Sequence, residues 1–356
     1  MKKSKITLAF LAIIITTSFF GCDNKGKSTE TTAIVKETRI FTDSSGREVT
    51  IPTDIKAIAP SGPLAQIVLY TACPDKLGGL ATDFSEDSKK YFDEKYWSLP
   101  KFGQFYGKNA NLNMEALLKA APDIIVDIGE AKKNVAEDMD KLQEQLGIPV
   151  IFVEANLANM DKTYNMLGKL IGEEKQGEEY AKYCKNVIDK ANDISKNLKD
   201  NEKKSVYFAL GKEGLNTNAS GSFQAQAIEV AGGKNVAQVE VASSGGGTQI
   251  SFEQLSLWQP DVIIVDTEDL YNKIISEALW QDLEAVKNKQ VYKIPNKPYS
   301  FMGSPPSINR IIGVQWLGNL LYPDKYKIDI NKEVKEFCSK FYHIDLTDEQ
   351  IAEILK

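Results

Sequence analysis

The chain of 356 residues contains a single histidine, His343, and its arginines are confined to Arg39, Arg47 and Arg310 among 43 basic side chains. One imidazole near the C-terminus provides no base for a histidine-dependent hydrolytic triad and no set of ligands for a bare transition-metal site. The formal charge of −6 denies the chain the basic face that nucleic acid requires. Beyond Cys22, the cysteines Cys73, Cys184 and Cys338 are odd in number and lack metal-type spacing. Cys184 lies in a helical pattern and reads as a small packing residue, while the state of all three thiols stays open. After residue 20 no apolar run is long enough to cross a bilayer.

What is present starts with Lys2, Lys3 and Lys5, an apolar stretch over residues 6–20, and Gly21-Cys22 before a polar run. This is the layout of a secretory signal over residues 1–21. The small residue before Cys22 resembles a bacterial lipobox, which implies lipid on Cys22 and a membrane tether that does not span. The other reading is an ordinary signal with an incidental cysteine. Residues 22–38 hold too few apolar side chains to fold and read as a flexible leash. What remains suffices for two domains, each with its own core.

One phrase occurs twice. Met114-Glu115-Ala116-Leu117, leading to Pro122-Asp123 and an apolar run, returns as Phe252-Glu253-Gln254-Leu255, leading to Pro260-Asp261 and a second run. One pair is too few for a solenoid, so the spacing predicts two similar lobes with a cleft between them. Apolar runs at residues 57–59, 76–81, 124–127 and 150–153, then at 205–210, 262–265 and 290–294, alternate with helical patterns and predict parallel strands with crossover helices. The proline-free stretch 160–199 predicts one long helix, with Gly172 as its weak point. The expected division is a first α/β lobe at 39–158, an inter-lobe helix at 159–201, a second α/β lobe at 202–322 and a helical tail at 323–356.

The Asp43-Ser44-Ser45-Gly46-Arg47 opening, the two Glu-to-Pro-Asp phrases, Ala231-Gly232-Gly233-Lys234-Asn235-Val236 and the stretch 305–310 occur in an order that resembles the substrate-binding lipoproteins of ABC importers for iron–siderophores and cobalamin, the helical-backbone class III of periplasmic binding proteins. The resemblance implies two Rossmann-like lobes with central parallel sheets joined by one long helix, no catalysis, no cofactor, a monomer, and delivery of a metal chelate to a permease and its ATPase. It also implies that Glu115 and Glu253 dock onto permease arginines. By themselves these are carboxylates favoured at helix N-termini.

Ligands of open α/β sheets collect at the C-terminal ends of the strands, which makes Ser61, Phe105, Tyr106, Asn218, Ser244, Tyr299 and Met302 candidate cleft residues. Arg310, expected one turn into a helix beginning near Ser307, offers a fork of donors for a carboxylate, phosphate, hydroxamate or metal oxyanion, or else a structural ion pair. Tyr299 is either an indirect route to iron through its phenolate or a wall residue. Residues 243–248 read as a mobile loop rather than a phosphate loop. Lys108 and Lys297 read as helpers to Arg310 in the expected cleft. A metal chelate ranks first as ligand on the resemblance, with cobalamin, haem or an oxyanion such as molybdate as alternatives. A carboxylate-dependent surface enzyme is the rival from another class, resting on Asp127 and Asp266, which both end apolar strands and read as equivalent in the repeat.

Overall fold

A computed structural model describes residues 37–107, 109–242, 247–303 and 305–356. Cys22, Lys108 and Ser244 lie outside the described residues. Strands β1 (Thr38–Thr42) and β2 (Glu48–Pro52) pair antiparallel around a turn in which Gly46 takes φ +84°. Asp43 Oδ1 accepts the Ser45 and Arg47 N–H groups, and its other oxygen accepts the Phe152 N–H and one Arg47 nitrogen. Arg47 continues to Asp140 at 2.7 Å and the Val150 carbonyl at 3.0 Å. Arg39 donates to the Leu170 carbonyl at 2.6 Å. Two of the three arginines therefore fix this hairpin, Arg47 to the first lobe and Arg39 to the inter-lobe segment.

The first lobe centres on β3 (Ile58–Pro60), β4 (Ile124–Gly129) and β5 (Val150–Glu154), parallel in the order β3-β4-β5. The strand expected at residues 76–81 is absent. The segment forms isolated bridges from Leu77 to Ile58 and from Leu80 to Lys101, split by Gly78-Gly79, where a Cβ on Gly79 would lie 2.3 Å from the Phe102 ring. The second lobe contains β6 (Ser205–Ala209), β7 (Asn216–Thr217), β8 (Lys234–Asn235), β9 (Thr248–Gln249), β10 (Val262–Val265) and β11 (Val291–Lys293). Four of these form a parallel sheet in the order β11-β10-β6-β8, while β7 and β9 pair antiparallel.

Side chains alternate across each sheet, as a period of two requires. Ile124, Val126, Ile151 and Val153 of the first lobe and Val206, Phe208, Val262 and Ile264 of the second belong to one continuous core. Their neighbours Ile125, Val150 and Phe152 enter a separate cluster on the first lobe, and Tyr207, Ile263 and Val265 enter another on the second. The expectation of one independent core per lobe is thus replaced by a shared core with two satellites, because the connecting helices present apolar faces to both sheets.

The inter-lobe segment is two helices rather than one. Met160–Ile171 ends at Gly172, in the left-handed conformation at φ +77°, and Glu174–Asn197 folds back along it. The close approach rests on Gly168 and Gly177, and the Tyr164 and Tyr180 rings meet at 5.3 Å. The second helix, 24 residues or about 36 Å at 1.5 Å per residue, continues to the second lobe, where Tyr183 accepts from Gln315 at 3.2 Å. The tail, with helices Ile330–Phe337 and Asp348–Leu355, returns to the first lobe. There Tyr70 donates to the Tyr342 carbonyl at 3.3 Å, Phe341 stacks near Tyr164 at 5.5 Å and His343 sits 3.2 Å from the Thr71 carbonyl. Cys73, Cys184 and Cys338 are buried free thiols. Among the described residues no helix is long and apolar enough to cross a membrane.

Candidate functional site

The doubled phrase builds the same device in each lobe. Met114–Ala120 and Phe252–Trp258 are seven-residue helices whose caps, Asn113 and Ser251, accept the N–H of Ala116 at 3.0 Å and of Gln254 at 3.2 Å. Both helices stop on a left-handed residue that is not glycine, Ala121 at φ +47° and Gln259 at φ +41°, followed by Pro-Asp. Each aspartate then holds the start of a neighbouring strand. Asp123 Oδ2 accepts the N–H groups of Lys56 and Ala57, and Asp261 Oδ2 accepts the N–H and hydroxyl of Ser205. Glu115 and Glu253 occupy the same second helical position, exposed to solvent. Neither forms an ion pair among the described residues. Leu118 and Leu257, 57% and 85% exposed, follow them one turn later.

At the C-terminal ends of β3 and β4 the first lobe presents a buried carboxylate. Asp127, 5% exposed, accepts hydrogen bonds from the Ser61 hydroxyl and from the Tyr106 phenol at 2.5 Å. Burial pushes its carboxyl above the ordinary value of 3.8, and the two hydroxyls and Lys132 only partly oppose this. Adjacent Phe105 turns into the first-lobe satellite core, and its N–H donates to the Ser61 carbonyl at 2.9 Å. Tyr106 stays 42% exposed. Asp127 and Asp266 do not correspond as the repeat suggests. With Pro122 set on Pro260, Asp127 falls on Val265 and Asp266 one place later, which in a strand is the opposite face.

Arg310 is at the second position of the Asn309–Leu321 helix rather than a turn inside it. Its relative exposure is 0%. One nitrogen, Nη1, donates to the Phe223 carbonyl at 2.6 Å and to Gln226 Oε1 at 3.2 Å, and the guanidinium lies 4.5 Å from the centre of the Phe223 ring. Among the described residues, Nε and Nη2 are buried without a partner. Among the described residues no carboxylate neutralises the group in contact; burial pushes it down to about 9, and Glu130 opposes this only at a distance. The ion-pair reading of Arg310 is therefore not what the structure contains.

The remaining sequence candidates are placed differently. Met302 is 1% exposed in the shared core. Tyr299 packs against Phe92 and Tyr342, each at 5.9 Å, and burial pushes its phenol up, away from the phenolate that iron would require. Asn218 is 9% exposed and its carbonyl accepts from Asn235 at 2.9 Å. Lys297 is tied to Glu353 at 2.6 Å. Phe223 and Gln226 escape a reading of the sequence, since an aromatic and an amide in a short helical pattern carry no periodic signal.

A family profile, periplasmic binding protein, matches residues 78–298, more than half of the chain. The molybdate-binding protein MolA of Haemophilus influenzae is 26% identical over 88% of this chain and 93% of its own length. The Fe(3+)-citrate-binding protein YfmC of Bacillus subtilis is 23% identical over 81% of this chain and 87% of its own. Among solved structures, an ABC transporter solute binding protein from Sulfurospirillum deleyianum superposes with a TM-score of 0.82 at 29% identity, covering 89% of this chain and 98% of that one. The paired parallel sheets, the long helix between them and the profile match lead to one assignment: the chain belongs to the periplasmic binding protein family.

Proposed function

We propose that the protein is the extracytoplasmic solute-binding component of an ABC importer and that its ligand is a small oxyanion of the molybdate type held by Arg310. The observation that carries this reading is a wholly buried guanidinium with two adjacent donors unused. Leaving a buried charge uncompensated costs several kcal/mol, and an anion placing two oxygens on Nε and Nη2 would offset that cost in the bidentate geometry arginine favours. The molybdate named for the H. influenzae relative is of the same class.

A ferric chelate is the second reading, supported by the ferric citrate named for the B. subtilis relative; the Tyr106 phenol, which burial and Asp127 push up, is no readier a phenolate than Tyr299. Calorimetric titration of the ligand-free mature chain with molybdate, tungstate, sulfate, phosphate, ferric citrate, haemin and cobalamin separates the two. Binding of an oxyanion supports the proposal, and binding of a chelate with no response to any oxyanion overturns it.

In transport, lipid on Cys22 would hold the protein at the membrane, and Glu115 and Glu253 would form a two-point handle for permease cations. What supports the handle is the identity of the two capped helices and the exposure of both carboxylates.

A further inference from the structure

One side chain joins the buried arginine to the opposite lobe. Gln226 Oε1 accepts from Arg310 Nη1 and, at 3.2 Å, from the backbone N–H of Leu157. Leu157 opens the turn that follows β5 of the first lobe, whereas Gln226 begins a short helix between β7 and β8 of the second. Two N–H groups converging on one atom of an amide require that atom to be the oxygen. The orientation of Gln226 is thereby fixed, and its NH2 group is left without a partner among the described residues.

We infer that Gln226 is a clasp between the lobes and a specificity-determining residue for the ligand. Its oxygen draws the first-lobe backbone and the Arg310 guanidinium to a common point, and its NH2 group is a third donor, beside Nε and Nη2, for an anion in the cleft. The ligand contribution rests on the proposed oxyanion reading; the clasp does not. The donors left free here, Nε, Nη2 and the Gln226 NH2, favour a fully ionised oxyanion over a neutral solute, which brings no charge to the guanidinium. Because the Arg310 side of the clasp is also the anion's seat, occupancy and lobe closure share a contact, which is how a local event couples to a global one.

Two variants divide the roles. Gln226→Met keeps the volume but removes the acceptor, and Gln226→Glu keeps the acceptor while adding negative charge and removing the NH2 donors. Hydrogen exchange at the Leu157 amide in the ligand-free mature chain should accelerate at least about tenfold in Gln226→Met, the loss of one net hydrogen bond, and stay slow in Gln226→Glu. Molybdate affinity should fall about tenfold in the first variant and about a hundredfold in the second, where a carboxylate competes for the same guanidinium. Unchanged Leu157 exchange in Gln226→Met would overturn the clasp, and unchanged molybdate affinity in Gln226→Glu would overturn the ligand role. If the unaltered chain binds no oxyanion, the Arg310 reading falls with the ligand role, and the exchange measurement still decides the clasp.

Discussion

Gly177 lies against the backbone of Tyr164, so close that a Cβ on Gly177 would stand 2.6 Å from the Tyr164 carbonyl oxygen and 2.9 Å from the Gly168 Cα. Neither contact is with a flexible side-chain tip, so the helices must separate to admit a methyl group. Gly177→Ala should lower stability by about 1–3 kcal/mol, the range for overpacking a close-packed interior. Urea denaturation measures this, and a midpoint equal to that of the unaltered chain would mean that the two helices sit farther apart.

Asp127 gives a prediction in pH. Burial holds its carboxyl above 3.8, so between that value and its raised one the folded chain retains a proton that the unfolded chain has released. Stability from this group therefore falls as pH rises through the window. Asp127→Asn, whose amide oxygen can still accept from Ser61 and Tyr106, should raise the thermal midpoint at pH 7 and lose that advantage below about pH 3.8. An equal gain at both ends would exclude ionisation as the cause.

Replacing Arg310 should separate ligand from scaffold. Arg310→Ala should weaken anion binding by at least about a hundredfold, since charge-assisted hydrogen bonds contribute about 1.5–3 kcal/mol each. Removing an uncompensated buried charge also relieves the free protein, so the ligand-free midpoint should fall less than the cavity alone would dictate. For the unaltered chain, anion affinity should decline as pH rises toward and past about 9, the value to which burial pushes the guanidinium and at which half of it has lost its proton. Titration calorimetry across pH 7–10 tests the sign.

Glu115→Lys together with Glu253→Lys should abolish uptake in reconstituted transporter vesicles while leaving solute affinity within about twofold, because exposed charges far from a site contribute little to it. Single reversals should give intermediate loss. Undiminished uptake by the double variant would remove the docking role from both helices.

Much of this arrangement is legible in the amino-acid sequence alone. The apolar runs at 124–127, 150–153 and 262–265 identify themselves because parallel strands are covered on both faces, and the duplicated Glu-to-Pro-Asp phrase marks the lobes because each copy uses the same cap, left-handed stop and aspartate clamp. Gly172 marks the helix break within a long stretch lacking proline. What stays hidden depends on distant packing. The partners of Arg310 lie 84 and 87 positions away, and nothing local marks Gln226 as one of them. The mismatch of Asp127 and Asp266 is a one-residue slip that the sequence shows once Pro122 is set on Pro260, though its consequence, opposite faces, emerges only with the strands assigned, and the run at 76–81 is apolar enough for a strand but carries Gly78-Gly79 through its middle.

The return of the tail bears on biogenesis. Phe337, Phe341, Tyr342, Ile351 and Ile354 complete the interior against which Tyr70 and Tyr164 pack, so the first lobe is closed by residues far downstream, Tyr342 lying 272 positions beyond Tyr70. Folding then cannot proceed lobe by lobe in order of emergence, as separate domains usually do. A chain stopped short of Phe337 would leave an aromatic surface uncovered for quality-control proteases to find.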